Sequence, residues 1–220
     1  MRHIRKQDEP TVFIAWKASG NADWQPAYDN LRNPEKRALH LALLSEQGHT
    51  CCYCGRSTSE ETSHIEHFKP QEAYEDDALD YSNLHASCLR SLGPGDPLHC
   101  GHGKGSEFDA GQVISPLDPT CESRFLYVGQ SGAITAKEPD DSEAEHMIAL
   151  LKLDIPYLRQ LRSKVLNGHF PEEILAMATD TQLQILIADA HQPDIRGHQK
   201  SFAHVIRAYG NAQIAKRRGP

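Results

Sequence analysis

The stretch CCYCGRSTSEETSHIEHFKP, Cys51 to Pro70, constrains this chain more than any other, because it crowds three thiols and two imidazoles into one short segment. The Cys51-x-x-Cys54 spacing lets a tight turn aim two thiolates at one tetrahedral ion. Zinc takes four ligands, so a second pair has to come from downstream. Cys88 and Cys100 are the natural candidates, with His99 and Cys121 as substitutes for Cys100, while Cys52 is expected to face away. The N-terminus MRHIRKQDEP is charged and lacks the apolar stretch of a secretory signal, and no window approaches the roughly 20 apolar residues of a membrane span. The expected location is the cytoplasm, where six cysteines fit metal binding better than a disulfide framework.

Five of the 13 histidines, His64, His67, His85, His99 and His102, fall in the same region. A strand over 63–68 places His64 and Glu66 on one face and His67 on the other. Glu66 and a carboxamide at Asn83 offer oxygen ligands that suit a hard divalent ion, magnesium or manganese, and His67 can take a proton from water. His85 reads as structural or phosphate-facing, and Lys69 and Lys104 as candidates for meeting a phosphate oxygen.

A formal net charge of −7 argues against a general nucleic-acid coat, since phosphate binding needs Lys and Arg displayed together. The balance is uneven: Arg196 to Pro220 holds six Lys/Arg and no acid, and EAYEDD and EPDDSEAE are acidic runs. Charge alone favours a frayed, solvated basic tail. TVFIAW, 11–16, is compatible with strand or helix. NPEKRALHLALLSEQGHT predicts a helix capped by Asn33, opened by Pro34 and closed by Gly48. The centre, Cys51 to about Phe125, has only short apolar runs and a small core, for which a structural metal substitutes. Beyond it, EAEHMIALLKL, PYLRQLRSKVLNG, PEEILAMATDTQLQILIADA and HQKSFAHVIRAYG predict helices separated by Pro and Gly.

The order Cys51-x-x-Cys54, Glu66-His67-x-x-Pro70, Asn83-Leu84, Cys88, then Cys100-Gly-His102-Gly-Lys104 resembles the HNH endonuclease motif on a ββα-metal finger. CCYCGR, HIEHFKP, NLHASC, HCGHGKG and ISPLDPTCESRF together resemble the HNH proteins of bacterial anti-phage defence, the Septu PtuB and retron-associated family, from MRHIRKQDEP to about Arg162. The resemblance implies a zinc-stapled ββα-metal HNH core over 51–125. With the helical patterns on either side, the expected fold is α+β, with a helical lead-in over 1–50 and a mostly helical part over 126–220, a candidate for partner docking because the chemistry does not need it. The resemblance further implies His67 as general base, Glu66, Asn83 and His102 around a catalytic Mg²⁺ or Mn²⁺, and structural zinc on Cys51, Cys54, Cys88 and Cys100. The implied substrate is nucleic acid, DNA in particular, and the implied partner is a PtuA-like ATPase.

Two other classes compete. A zinc nucleobase deaminase also uses His-x-Glu with C-x-x-C, but there His-x-Glu comes before Pro-Cys-x-x-Cys, whereas here the C-x-x-C comes first. A non-enzymatic zinc module that binds protein or nucleic acid explains the cysteines and leaves Glu66-His67 and Asn83 without a task.

Overall fold

The computed structural model describes residues 1–129 and 131–218, and it is an α+β protein with two small sheets. TVFIAW folds as helix α1, Thr11–Lys17. Helix α2 runs Glu35–Glu46, one residue later than expected: Pro34 rather than Asn33 takes the capping position, no side chain caps it, and Glu35 complements the helix dipole in the first turn. Gly48 ends it at φ 56, a left-handed conformation that glycine adopts without a Cβ penalty.

Strands β1, Ser63–His67, and β2, Leu84–Cys88, pair antiparallel with His64 opposite Ser87 and Glu66 opposite His85. Alternation gives the hairpin two faces. Ile65, Leu84 and Ala86 face a cluster of Phe13, Leu31, Leu39, Leu43 and Leu44 from the N-terminal segment. Each buried Leu there contributes about 1.5–3 kcal/mol. The other face, with His64, Glu66 and Ser87, receives the short helix α3, Cys100–Lys104. The buried Gln47 amide pairs with Ala86 on the outer edge of β2, donating to its carbonyl and accepting from its N–H, each at 2.8 Å. Cys52 N–H donates to the same carbonyl at 3.1 Å, which ties the cysteine turn to β2.

The second hairpin, β3 at Phe125–Val128 and β4 at Ala133–Ala136, turns Phe125, Tyr127 and Ile134 inward. Five helices follow: α4 Ser142–Leu150, α5 Pro156–His169, α6 Glu172–Met177, α7 Asp180–His191 and α8 Ala203–Arg218. Where one helix is expected over 171–190, the chain breaks at Thr179, whose hydroxyl and Gln182 form a reciprocal capping box that starts α7. The central segment is not core-poor, because one apolar cluster joins Cys51, Cys54, Cys88 and Cys100 to Met147, Leu151, Leu158 and Val205. Backbone bonds fasten α8 to the cysteine turn: Gln199 N–H to Gly48 O at 2.8 Å and Phe202 N–H to Gly55 O at 2.7 Å. The basic end is helical as far as Arg218 rather than frayed. Arg217 binds the last carbonyls of α6 at Leu175 and Ala178, and Arg218 Nε lies 3.0 Å from Asp180. Among the described residues no helix is long and apolar enough to cross a membrane.

Candidate metal centre and catalytic site

The thiols of Cys51, Cys54, Cys88 and Cys100 lie within 4.8 Å of one another, and all four residues are buried. Tetrahedral zinc with Zn–S near 2.3 Å requires S–S edges of about 3.8 Å, and the Cys54–Cys88 separation is 3.7 Å. A disulfide requires about 2.05 Å, and all six cysteines are free. The donor set therefore fits a structural zinc ion. Cys100 is the fourth member, placed by a left-handed backbone at φ 56. The two alternates stand outside the set. His99 directs Nδ1 at Cys100 Sγ from 3.1 Å, and Cys121 Sγ reaches toward the Pro116 carbonyl with its thiol pushed by burial up to about 12. Burial raises the Cys51 thiol, yet the surrounding Cys100, Cys52, Cys54 and Cys88 outweigh it and hold the group well below the ordinary thiol range. The residues from Leu89 to Leu98, between the two downstream ligands, are looped out and contain no helix or strand.

Cys51 and Cys54 flank Tyr53, and the turn they make buries the tyrosine and points its hydroxyl at Glu66 Oε1, 3.1 Å away. Lys104, 3% exposed, comes from α3 to the same oxygen at 3.2 Å. Oε2 faces His64 Nε2 at 3.2 Å. His64 Nδ1 and His102 Nε2 converge on the Leu89 carbonyl at 2.7 and 2.8 Å, their rings 4.7 Å apart. Leu89 itself holds the left-handed φ of 69, which a residue with a Cβ adopts at a cost of about 1–2 kcal/mol. Both His64 nitrogens thus meet acceptors. Burial lowers its pKa, but the Glu66 hydrogen bond and charge prevail and raise it. Lys104 and His64 therefore take one oxygen each of a single buried carboxylate. Gly101 makes this closeness possible, since a Cβ there would collide with Glu66 Oε2 and lie 2.7 Å from His64 Nε2. Glu66 is thus engaged by Tyr53, Lys104 and His64, and His102 meets the His64 ring rather than the carboxylate.

His67 lies on the opposite face, as alternation requires. Its ring meets Tyr28 edge-on with centroids 4.3 Å apart, and Nε2 lies 3.1 Å from the Ala78 carbonyl. That carbonyl only accepts, so Nε2 carries the proton and Nδ1 keeps the lone pair. Burial is the larger influence and holds this imidazole below its ordinary range. Asn83 is committed to the connection between the strands: Oδ1 accepts from Lys69 N–H at 2.7 Å, and Nδ2 donates to Lys69 O and Asp77 O at 3.0 and 3.1 Å. Lys69 Nζ pairs with Asp77 at 2.8 Å. His85 is fully buried with neither nitrogen bonded, so it does not face phosphate, and burial keeps it neutral.

The structure therefore sets His64 against both Glu66 and the His102 ring, with Tyr53, Gly101 and Lys104 around Glu66, but among the described residues Glu66, His64 and His102 do not converge as a ligand group. Sequence reasoning gave Tyr53 and Gly101 no part. Their only signal is position, inside C-x-x-C and directly after Cys100.

No protein-family model matches the chain. Over 103 residues it is 28% identical to the Septu protein PtuB of Bacillus thuringiensis, a match covering 42% of this chain and 36% of that protein. The chain thus spans little more than a third of this relative's length.

Proposed function

We propose that the chain is a metal-dependent HNH-type endonuclease that hydrolyses nucleic-acid phosphodiesters, DNA in particular, as the cutting component of an anti-phage system. The observation that carries this reading is the arrangement on one short strand beside the thiol cluster: a buried carboxylate against the His64 imidazole, followed directly by an imidazole whose Nε2 is fixed on the Ala78 carbonyl. The PtuB likeness supports the defence setting.

In this mechanism His67 accepts the proton of the attacking water at Nδ1, while the Nε2–H bond to Ala78 fixes the tautomer and the ring angle. Asn83 holds the connection between the strands, and with it the Ala78 carbonyl, in register. Glu66, His64 and His102 are the residues that would hold the divalent ion. Asn83, also expected as a ligand, spends its amide on the Lys69–Asp77 segment, so its support for the site is positional. The ion, when bound, stabilises the charge that grows on the phosphate oxygens in the transition state. Lys104 holds Glu66 Oε1 in place beforehand. The thiols hold zinc for structure only.

Imidazole ligands favour manganese over magnesium. The purified protein, assayed on duplex DNA with and without a PtuA-like ATPase, is expected to lose cleavage in EDTA while keeping its zinc, and to regain it at lower Mn²⁺ than Mg²⁺. Zinc-loaded protein that cuts with neither ion, even with the partner, would sink the nuclease reading. The same reading gives 126–220 the task of docking the ATPase, supported by the exposed Ile174, Met177 and Ile185 on α6 and α7. Met177→Glu with Ile185→Glu is expected to abolish co-purification with the ATPase, and unchanged co-purification would overturn this docking assignment.

One observation favours the non-enzymatic zinc module instead. Lys104 already satisfies Glu66, and among the described residues only the four cysteines converge as a group of three or more potential metal ligands. Such a module would bind its target and never cut it.

A further inference from the structure

Beside β1, a groove of about 470 Å³ opens against α2 and Tyr28. In a chain of net charge −7, four cations line it, Arg32, Lys36, Arg37 and Arg90, against a single carboxylate, Glu60. Glu60 is bound to Arg37, with Nε 2.9 Å from Oε1, and its backbone carbonyl accepts from Arg90 at 2.7 Å. The Arg32 guanidinium rests on the carbonyls of Asp29 and Leu31 at 2.7 and 3.0 Å. Lys36 Nζ stands 4.8 Å from the centre of the Tyr28 ring. Among the described residues none of Arg32, Lys36 and Arg90 forms an ion pair with a carboxylate. Burial and the charge of Arg32 both hold Lys36 below its ordinary range, as like charges crowded together do.

Position gives this cluster a use. The Tyr28 ring that Lys36 covers is the ring that meets His67, so the row of cations ends at the proposed base. Past Tyr28 the sign reverses, in a second groove lined by Asp29, Glu72, Glu75 and Asp76. A polyanion would be drawn along the first groove and repelled by the second, which would stop it at Tyr28, the residue the two grooves share and the one His67 packs against. Duplex DNA carries one charge per roughly 1.7 Å of axis, so unpaired cations spaced along a groove are what its backbone engages.

We infer that this groove is the track that holds the nucleic-acid backbone, with Lys36 and Arg90 meeting phosphates and Glu60 tempering the affinity by occupying Arg37. The nuclease reading supplies what lies at the end of the track, but the binding itself is measurable without cleavage. The test is fluorescence anisotropy of a labelled 20-bp duplex, titrated with zinc-loaded full-length protein without added Mg²⁺ or Mn²⁺. Lys36→Glu with Arg90→Glu is expected to weaken binding about tenfold or more at low salt and to reduce the slope of log affinity against log salt by about 2. Glu60→Gln acts in the opposite direction and is expected to tighten binding several-fold. Lys164→Glu, on the exposed surface of α5, is expected to leave affinity and slope nearly unchanged. Zinc content and melting temperature report folding, and Lys36→Gln with Arg90→Gln gives the same slope change if the reversal variant does not fold. Wild-type affinity and slope in the groove variants overturn the inference, as do an equal loss in Lys164→Glu and a wild type that does not bind the duplex. A wild type that binds through the groove yet never cuts with either ion leaves the track standing and removes the nuclease reading alone.

Discussion

Cys51→Ser is expected to empty the zinc site and lower the melting temperature by at least about 10 °C, read by metal analysis and circular dichroism of the same sample. Structural zinc contributes about 10–16 kcal/mol of apparent binding free energy in small zinc-finger peptides. A domain's whole stability is about 5–15 kcal/mol. Part of that contribution is offset here, because the cysteines share their apolar cluster with α4, α5 and α8, and those contacts persist without metal. A loss of about 5 kcal/mol is still expected, and at roughly 2–4 °C per kcal/mol for a chain of this size it gives the stated shift. Damage should begin in the cysteine turn and spread to Glu66, since the Tyr53 hydroxyl reaches it from between Cys51 and Cys54. Cys121→Ser is the control. Its thiol lies in the apolar cluster but outside the four-thiol set, so zinc should remain, with a smaller fall in stability. Cys51→Ser protein that kept its zinc and melted like wild type would remove the metal centre from this account.

What could be read from the sequence was local. C-x-x-C with Cys88 pointed to the zinc set, and period-two alternation placed Glu66 with His64 and away from His67, because a five-residue strand leaves no freedom about sides. The fourth thiol could not be chosen from spacing, because a left-handed residue at Cys100 and the looped-out stretch before it decided the matter. Helix ends failed for a related reason. Gly210 looks like a stop, yet it lies inside α8, where a Cβ would come within 2.6 Å of the Ile187 side chain and 2.9 Å of Phe170. Glycine is there to let α8 cross its neighbours closely, and only the tertiary packing shows which of its two uses applies. The core of the central segment was invisible in the same way, since its apolar partners lie far along the chain in α4, α5 and α8. Lys104 read either as a phosphate contact or as one more exposed lysine, and its burial against Glu66, which fits neither, depends on a helix packing onto a distant strand.

His67→Ala is expected to reduce DNA cleavage by about 10²–10⁴-fold, the usual contribution of a positioned general base, with zinc content and DNA affinity close to wild type. The choice of residue matters, because the obvious alternative is confounded. Glu66→Ala would strand Lys104 in a buried site, and removing one partner of such a pair costs about 3–5 kcal/mol, so lost activity could mean lost fold. His67 is only half-buried and gives up one hydrogen bond to Ala78, worth about 1 kcal/mol, and its contact with Tyr28. Its removal leaves no buried charge unpaired. For the carboxylate, Glu66→Gln keeps the shape and one acceptor oxygen for Tyr53 and Lys104 while weakening the hold on a divalent ion. In variant protein whose zinc content and melting temperature show it folded, activity should recover in part as Mn²⁺ is raised, whereas that of His67→Ala should not. The two responses separate a ligand from a base, which loss of activity alone cannot do. Cleavage by His67→Ala at the wild-type rate, in protein that cuts only with added metal, would move the base elsewhere on the hairpin.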